Sequence, residues 1–337
     1  MTLPVNARTG PFQAPRGAST GVLLAGTPRC GSTWLANVLG VADGARAVFE
    51  PDGPISDVLG AMVASRLGPF PVLAPEDRSL TYKLVWDLAF AGGWPWDRVE
   101  TARAAGRRMV RLPQSVRDLV IGGLAFGTAR ARPRPANVIV KSVNSALSLE
   151  WIAKRYQPKM VVLRRNPLNV VSSWVVLDMA TMWTVGDNPA VDATYLQPLG
   201  LSRPRAGSSA VTVAAWKVGL LTAALKRAIE GHPDWIEVSY DDLSADPTNG
   251  CKALFSRLGL TWNDAVEEYL DRSDRPGFVV HGGNPKAHPN AVTATESTSR
   301  RAQQGTQFRR RLSDAEIDEA RAVLNQFQLG SWGPPDA

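Results

Sequence analysis

The residues best suited to chemistry begin at Gly26. The run Gly26-Thr27-Pro28-Arg29-Cys30-Gly31-Ser32-Thr33 has the spacing of a phosphate-binding loop: glycine, four residues, glycine and two further positions. Backbone N–H groups and the start of a following helix can wrap a phosphate at such a turn. Ser32 stands where a nucleoside triphosphatase carries the lysine that reaches the β- and γ-phosphates, and the basic residue, Arg29, lies inside the loop instead. The loop therefore suits a phosphate but is poorly equipped for a triphosphate. Taken alone, it also fits an ordinary strand–helix turn tightened by glycines.

A second group lies far along the chain. Leu163-Arg164-Arg165-Asn166-Pro167 follows an apolar run and enters a helix, for which Pro167 suits the first position. Arg165 falls at the strand's carboxyl end and Ser173 about two turns into the helix, so the pair can grip a second anion where open α/β sheets gather their ligands.

Together the two motifs resemble the family of PAPS-dependent sulfotransferases, of the P-loop-like bacterial type. The family's first signature, Pro-Lys/Arg-Ser-Gly-Ser/Thr-Thr-Trp, binds the 5'-phosphosulfate and is matched by Pro28-Arg29-Cys30-Gly31-Ser32-Thr33-Trp34. Its second, Arg-Asp/Asn-Pro with a helical serine, binds the 3'-phosphate and is matched by Arg165-Asn166-Pro167 with Ser173. Tyr240-Asp241-Asp242-Leu243 is similar to the segment whose tyrosine lies near the adenine, and Phe308-Arg309-Arg310-Arg311-Leu312-Ser313 to a basic stretch near the family's C-terminus.

The resemblance implies a sulfuryl transfer from 3'-phosphoadenosine 5'-phosphosulfate (PAPS) to a hydroxyl or amine of a small-molecule, lipid or carbohydrate acceptor, a natural product among the choices. Arg29 would neutralise charge on the leaving phosphate, Ser32, Thr33 and loop N–H groups would hold the 5'-phosphate, and Arg300 or Arg301 would approach the 3'-phosphate. No metal is implied, because cationic side chains supply the charge. Val143 fills the place of the histidine base found in cytosolic members, in Val140-Lys141-Ser142-Val143. Lys141 keeps the basic character there. A glutamate before proline serves as base in some similar enzymes, which singles out Glu50 in Phe49-Glu50-Pro51, with Asp52, His281 and His288 next in line. A small-molecule kinase is the alternative enzyme, but it needs a lysine at position 32 and an acid that holds Mg²⁺. A non-catalytic nucleotide-binding protein is the other alternative.

These residues need an α/β scaffold with a central, mostly parallel sheet flanked by helices. Apolar runs predict strands at residues 21–26, 47–51, 138–140, 160–163 and 235–240. Helical spacing predicts helices over residues 32–39, 146–156, 168–179 and 314–326, the last capped by Ser313. Residues 94–135 read as an arginine-rich helical cap within an insertion at about 54–135, and residues 184–209 and 282–307 as irregular. Residues 1–20 read as a loose tail before one domain spanning 21–330.

The composition agrees. Of the 337 residues, 44% are hydrophobic and 20% charged, enough apolar material for a sizeable core. The formal charge of +7 suits an anionic ligand. Aromatic and basic residues do not interleave as a nucleic-acid platform requires. No apolar stretch approaches the length of a membrane span, and two distant cysteines, Cys30 and Cys251, suit a reducing compartment, so a cytoplasmic location is expected. A homodimer is left open.

Overall fold

The structure, a computed structural model, describes residues 20–54, 58–93, 135–182, 184, 185, 187–275, 278 and 305–335. The apolar runs form β1 (Thr20–Gly26), β2 (Ala45–Phe49), β3 (Asn137–Ser142), β4 (Lys159–Arg164) and β5 (Ile236–Ser239). All four pairings are parallel and the order is β2-β3-β1-β4-β5. Successive strand side chains point to opposite faces, so the central strands β1, β3 and β4 each feed two cores. Leu23, Val138, Val140 and Val162 belong to one, while Val22, Leu24, Ile139 and Val161 belong to the other. Burial on both faces explains why these strands read as unbroken apolar runs rather than alternating ones.

One core receives α2 (Val58–Leu67), α3 (Leu80–Phe90), α4 (Leu149–Tyr156), α5 (Pro167–Val176), α6 (Ala210–Gly231), α10 (Phe308–Arg311) and α11 (Asp314–Leu324). The other receives α1 (Ser32–Gly40), α7 (Tyr240–Ala245), α8 (Pro247–Leu258) and α9 (Asp264–Asp274). The chain has the expected α/β architecture, a central parallel sheet flanked by helices on both faces.

Four local differences from the sequence expectations have physical causes. The helix expected over residues 168–179 ends at Val176, because Leu177 caps it and Asp178 turns to a left-handed φ of 51°. The helix expected over 146–156 is split into a 3₁₀ turn, Asn144–Leu147, and α4, with Ser148 at the joint. The stretch 184–209 contains short helical turns at Pro189–Val191, Asp192–Leu196 and Gln197–Leu199. Finally, the 22-residue α6 had no counterpart in the sequence reading, although Ser209 caps it through Thr212 N and its buried residues recur at helical spacing. It packs against α5 and α11 and so fixes the helix that carries Ser173.

Residues 1–19, 94–134 and 279–304 lie outside the described residues, and with them nearly all of the expected tail, of the cap expected at 94–135 and of the irregular stretch expected at 282–307. Among the described residues, no helix is long and apolar enough to cross a membrane.

Candidate active site

In a parallel sheet the carboxyl ends of all strands open to one side. Each strand here delivers one candidate residue to that side. Arg29 follows β1, Glu50 follows β2, Lys141 lies in the last turn of β3, Arg165 follows β4 and Tyr240 follows β5. Because β1 lies between β3 and β4, the loop after it is flanked by Lys141 on one side and Arg165 on the other.

The loop is locked by its neighbours. Gly26 lies so close to Cys30 Sγ and Leu163 O that a Cβ would meet them at 2.6 and 2.8 Å. Gly31, at φ 96°, begins α1 and faces the Tyr240 ring, which a Cβ would meet at 2.2 Å. These two glycines are therefore required by close approach and by backbone conformation. Three side chains from β4 and α5 brace the loop. Arg165 donates to the Arg29 carbonyl (3.1 Å), Trp174 Nε1 to the Pro28 carbonyl (3.0 Å), and Arg29 Nε itself donates to Ser173 Oγ (3.0 Å). Cys30 is completely buried beneath the loop, and burial pushes its thiol pKa up.

The electrostatics favour an anion. Arg29 is lowered to about 10 by burial first and then by the positive charges of Arg165 and Arg311. It remains a cation at neutral pH, but it is crowded by like charge. Burial and Arg165 likewise lower Arg311, at the end of α10. The Arg165 guanidinium stands 4.9 Å from the centre of the Tyr240 ring, a cation–π contact, and Tyr240 meets Trp34 edge-on at 5.9 Å. Trp34 Nε1 donates to Ser273 Oγ (3.0 Å), which fixes the indole. A pocket of about 450 Å³ opens beside Arg165 between the ends of β4 and β5, lined among others by Arg164, Asn166, Asp241, Gly305 and Trp332.

The other half of the cleft is built around Glu50. Its backbone N–H donates to the Lys141 carbonyl (2.7 Å), and its carboxylate pairs with Lys141 Nζ and accepts from Val143 N–H (2.8 Å). The ion-pair partner is thus Lys141. Glu50 has φ 45° and Arg29 φ 76°. Gln157, Asp178 and Gln328 share the left-handed region, but each follows a helical segment, where that conformation is ordinary. Arg29 and Glu50 hold it within the cleft, where strained backbone marks over-determined geometry.

The structure thus brings Pro28, Arg29, Cys30, Gly31, Ser32, Thr33, Trp34, Arg165, Ser173 and Tyr240 together, and joins Glu50 to Lys141. Arg300, Arg301, His281 and His288 lie outside the described residues. His232 stacks on Trp235 at 4.3 Å, before the amino end of β5 and away from the cleft. Trp86 is core, and Trp174 is a loop brace as well as core. Sequence reasoning missed Asn169, a buried residue of α5 that donates to the Gly305 carbonyl (2.9 Å) and accepts from Phe308 N–H (3.1 Å). It ties the C-terminal segment to the helix carrying Ser173. An asparagine two residues after Pro167 was its only local signal.

Comparison with known proteins bears on the fold and the family. The sulfotransferase domain from the curacin biosynthetic pathway superposes with a TM-score of 0.50 at 14% identity, covering 92% of this chain and 97% of that one. A mouse sulfotransferase complexed with PAP gives 0.39 at 14% identity, with 92% and 83% covered. A retinol dehydratase in complex with androsterone and PAP gives 0.42 at 13% identity, with 91% and 80% covered. At 14% identity the likeness to the curacin-pathway domain is one of fold alone. Comparison with curated protein sequences finds no match. The family model described as Sulfotransferase family matches residues 21–264, most of the chain and all five strands, so this protein belongs to the sulfotransferase family.

Proposed function

We propose that the protein transfers a sulfuryl group from PAPS to a hydroxyl or amine of a small-molecule acceptor. The observation that carries this reading is the convergence of Arg29, Arg165 and Arg311, crowded by like charge, around a glycine loop with serine at position 32. Such a site fits two separated phosphate groups of a 3',5'-bisphosphate better than the chain of phosphates in a triphosphate.

In this reading the loop N–H groups with Ser32 and Thr33 hold the 5'-phosphate, and Arg165 with Ser173 holds the 3'-phosphate. Tyr240 and Trp34 flank the adenine. Arg29, released from Ser173, neutralises the negative charge that develops on the bridging oxygen as the sulfur–oxygen bond to phosphate breaks. The acceptor oxygen attacks sulfur in line and its proton passes to Glu50. Lys141 holds the Glu50 carboxylate and lies near enough to the loop to neutralise the sulfuryl oxygens. Arg300 or Arg301 completes the grip on the 3'-phosphate. The acceptor class, whether natural product, lipid or sugar, is set by the walls on the Glu50 side.

The test is transfer of label from radiolabelled PAPS in the presence of EDTA, with thermal shifts recorded for adenosine 3',5'-bisphosphate and for ATP–Mg²⁺. Metal-independent transfer and a shift with the bisphosphate alone are expected. Activity restored only by Mg²⁺, with a shift confined to ATP, would establish a kinase instead.

A further inference from the structure

Asp52 lies two residues beyond Glu50 and is completely buried. Its Oδ1 accepts from Ser142 Oγ (2.6 Å) and its Oδ2 from Tyr82 OH (3.1 Å), which reaches in from α3. Tyr82 OH in turn meets Ser148 Oγ at 2.7 Å, at the joint before α4. Ser142 Oγ also accepts from the N–H groups of Asn144 (3.2 Å) and Ser145 (3.1 Å). Its lone pairs are thereby used, and its single proton has one destination, Asp52. This arrangement bends the chain after β3 so that Val143 N–H faces the Glu50 carboxylate.

We infer that Asp52 is a positioning residue: its buried carboxylate, through Ser142 and Tyr82, holds the 50–53 turn against the 142–145 turn and so aims Glu50 at the acceptor proton. The inference rests on the reading of Glu50 as base. Asp52 cannot itself meet an acceptor, since both its oxygens are committed and none of it is exposed. The hydrogen bonds run one way while Asp52 is ionised, from Ser148 to Tyr82 to Asp52 and from Ser142 to Asp52. Burial holds the Tyr82 hydroxyl protonated, as this direction requires. A proton on Asp52 can be given only to Tyr82, since Ser142 has no acceptor site left. The chain then reverses through Tyr82 and Ser148 to the Ser145 carbonyl, 3.3 Å away. The titratable groups facing Asp52 are Glu50 on its own turn and Tyr82 from α3, while Lys141 from β3 faces Glu50. Asp52→Asn, which donates to Tyr82 and still accepts from Ser142, imitates the reversed state without changing shape.

The test uses the full chain and PAPS with water as the acceptor, following release of adenosine 3',5'-bisphosphate. Asp52→Asn should lower turnover roughly 10–100-fold, the scale of a small misplacement of a reacting group. Binding of adenosine 3',5'-bisphosphate should be unchanged, and hydrogen exchange at the Val143 amide should be faster. The pH profile supplies a readout that a merely structural residue would not move: the part of the fall in rate below about pH 7 that Asp52 causes in the wild type should be absent in the variant. In a Glu50→Gln background, Asp52→Asn should add no further loss. Tyr82→Phe, which keeps the Ser142 contact, should show a smaller loss of the same kind and serves if Asp52→Asn does not fold. An equal loss from Asp52→Asn in both backgrounds, or full turnover with unchanged Val143 exchange, would overturn the inference. Near-normal turnover of Glu50→Gln itself would instead overturn the base assignment on which it rests.

Discussion

Arg29 and Glu50 both hold left-handed backbone at the mouth of the same sheet, but the molecule supports them differently. Arg29 is braced from one side, by Arg165, Ser173 and Trp174 reaching across from β4 and α5. Its charge is opposed by its neighbours, so the loop is fixed while the guanidinium is left to seek an anion. Glu50 is held by opposite charge and by backbone, through Lys141 and Val143, above a second and completely buried acid. In the proposed reading the first is a donor half prepared to gain charge and the second a base half prepared to exchange a proton. Substitutions in the two halves should consequently fail in different ways.

The widest separation is expected from Glu50→Gln, which keeps size and hydrogen bonding but removes basicity. Turnover should drop roughly 10²–10⁴-fold while affinity for adenosine 3',5'-bisphosphate stays at the wild-type value. Steady-state kinetics beside calorimetry check it, and a comparable loss of affinity would erase the distinction between the halves.

Arg165→Ala should do the reverse. Binding of adenosine 3',5'-bisphosphate should weaken by on the order of 2–3 kcal/mol, as for a lost charge-assisted contact. Adenosine 5'-phosphosulfate, which lacks the 3'-phosphate, should bind almost as before. Equal losses for both ligands would mean that Arg165 serves only as a brace for the Arg29 carbonyl.

Gly31→Ala tests how rigid the donor half is. A side chain at φ 96° is strained, and its Cβ would displace the Tyr240 ring. Destabilisation of about 1–3 kcal/mol is expected in denaturant unfolding, together with weaker bisphosphate binding.

The last expected effect concerns pH and the base half. Burial first, and the Glu50 charge as well, pushes Asp52 up to about 7, against bonds from Ser142 and Tyr82 that act the other way. An unfolded aspartate ionises near pH 4, so between about pH 4 and 7 the folded chain carries the extra proton and loses stability as pH rises. Asparagine lacks this penalty. The stability of Asp52→Asn relative to wild type should therefore rise with pH across that window and level off above it. Parallel unfolding curves for the two proteins, with no change in their difference, would show that Asp52 stays ionised throughout.

The same contrast explains what could be read from the sequence. The donor half was legible because its parts are contiguous: a strand, a glycine loop and a helix in one stretch, then a strand, Arg165, Pro167 and a helix in another. Parallel strands buried on both faces also announce themselves as apolar runs. The base half was legible only at Glu50 and Lys141. Its hydrogen bonds join residues 30 to 93 positions apart, and nothing near Tyr82 in the chain points to Asp52. α6 escaped for a different reason, since its many alanines and glycines weaken the apolar pattern that its burial nevertheless confirms.

The crowding of Arg29 by Arg165 and Arg311 has a consequence for the life of the protein between catalytic cycles. A folded chain with no anion in the cleft carries repulsion that an unfolded chain does not, and a bound bisphosphate removes it. Occupancy and folding are therefore linked by mass action, the ligand stabilising the only state that can bind it. In the proposed reading the nucleotide supply governs how long the enzyme persists as well as how fast it works.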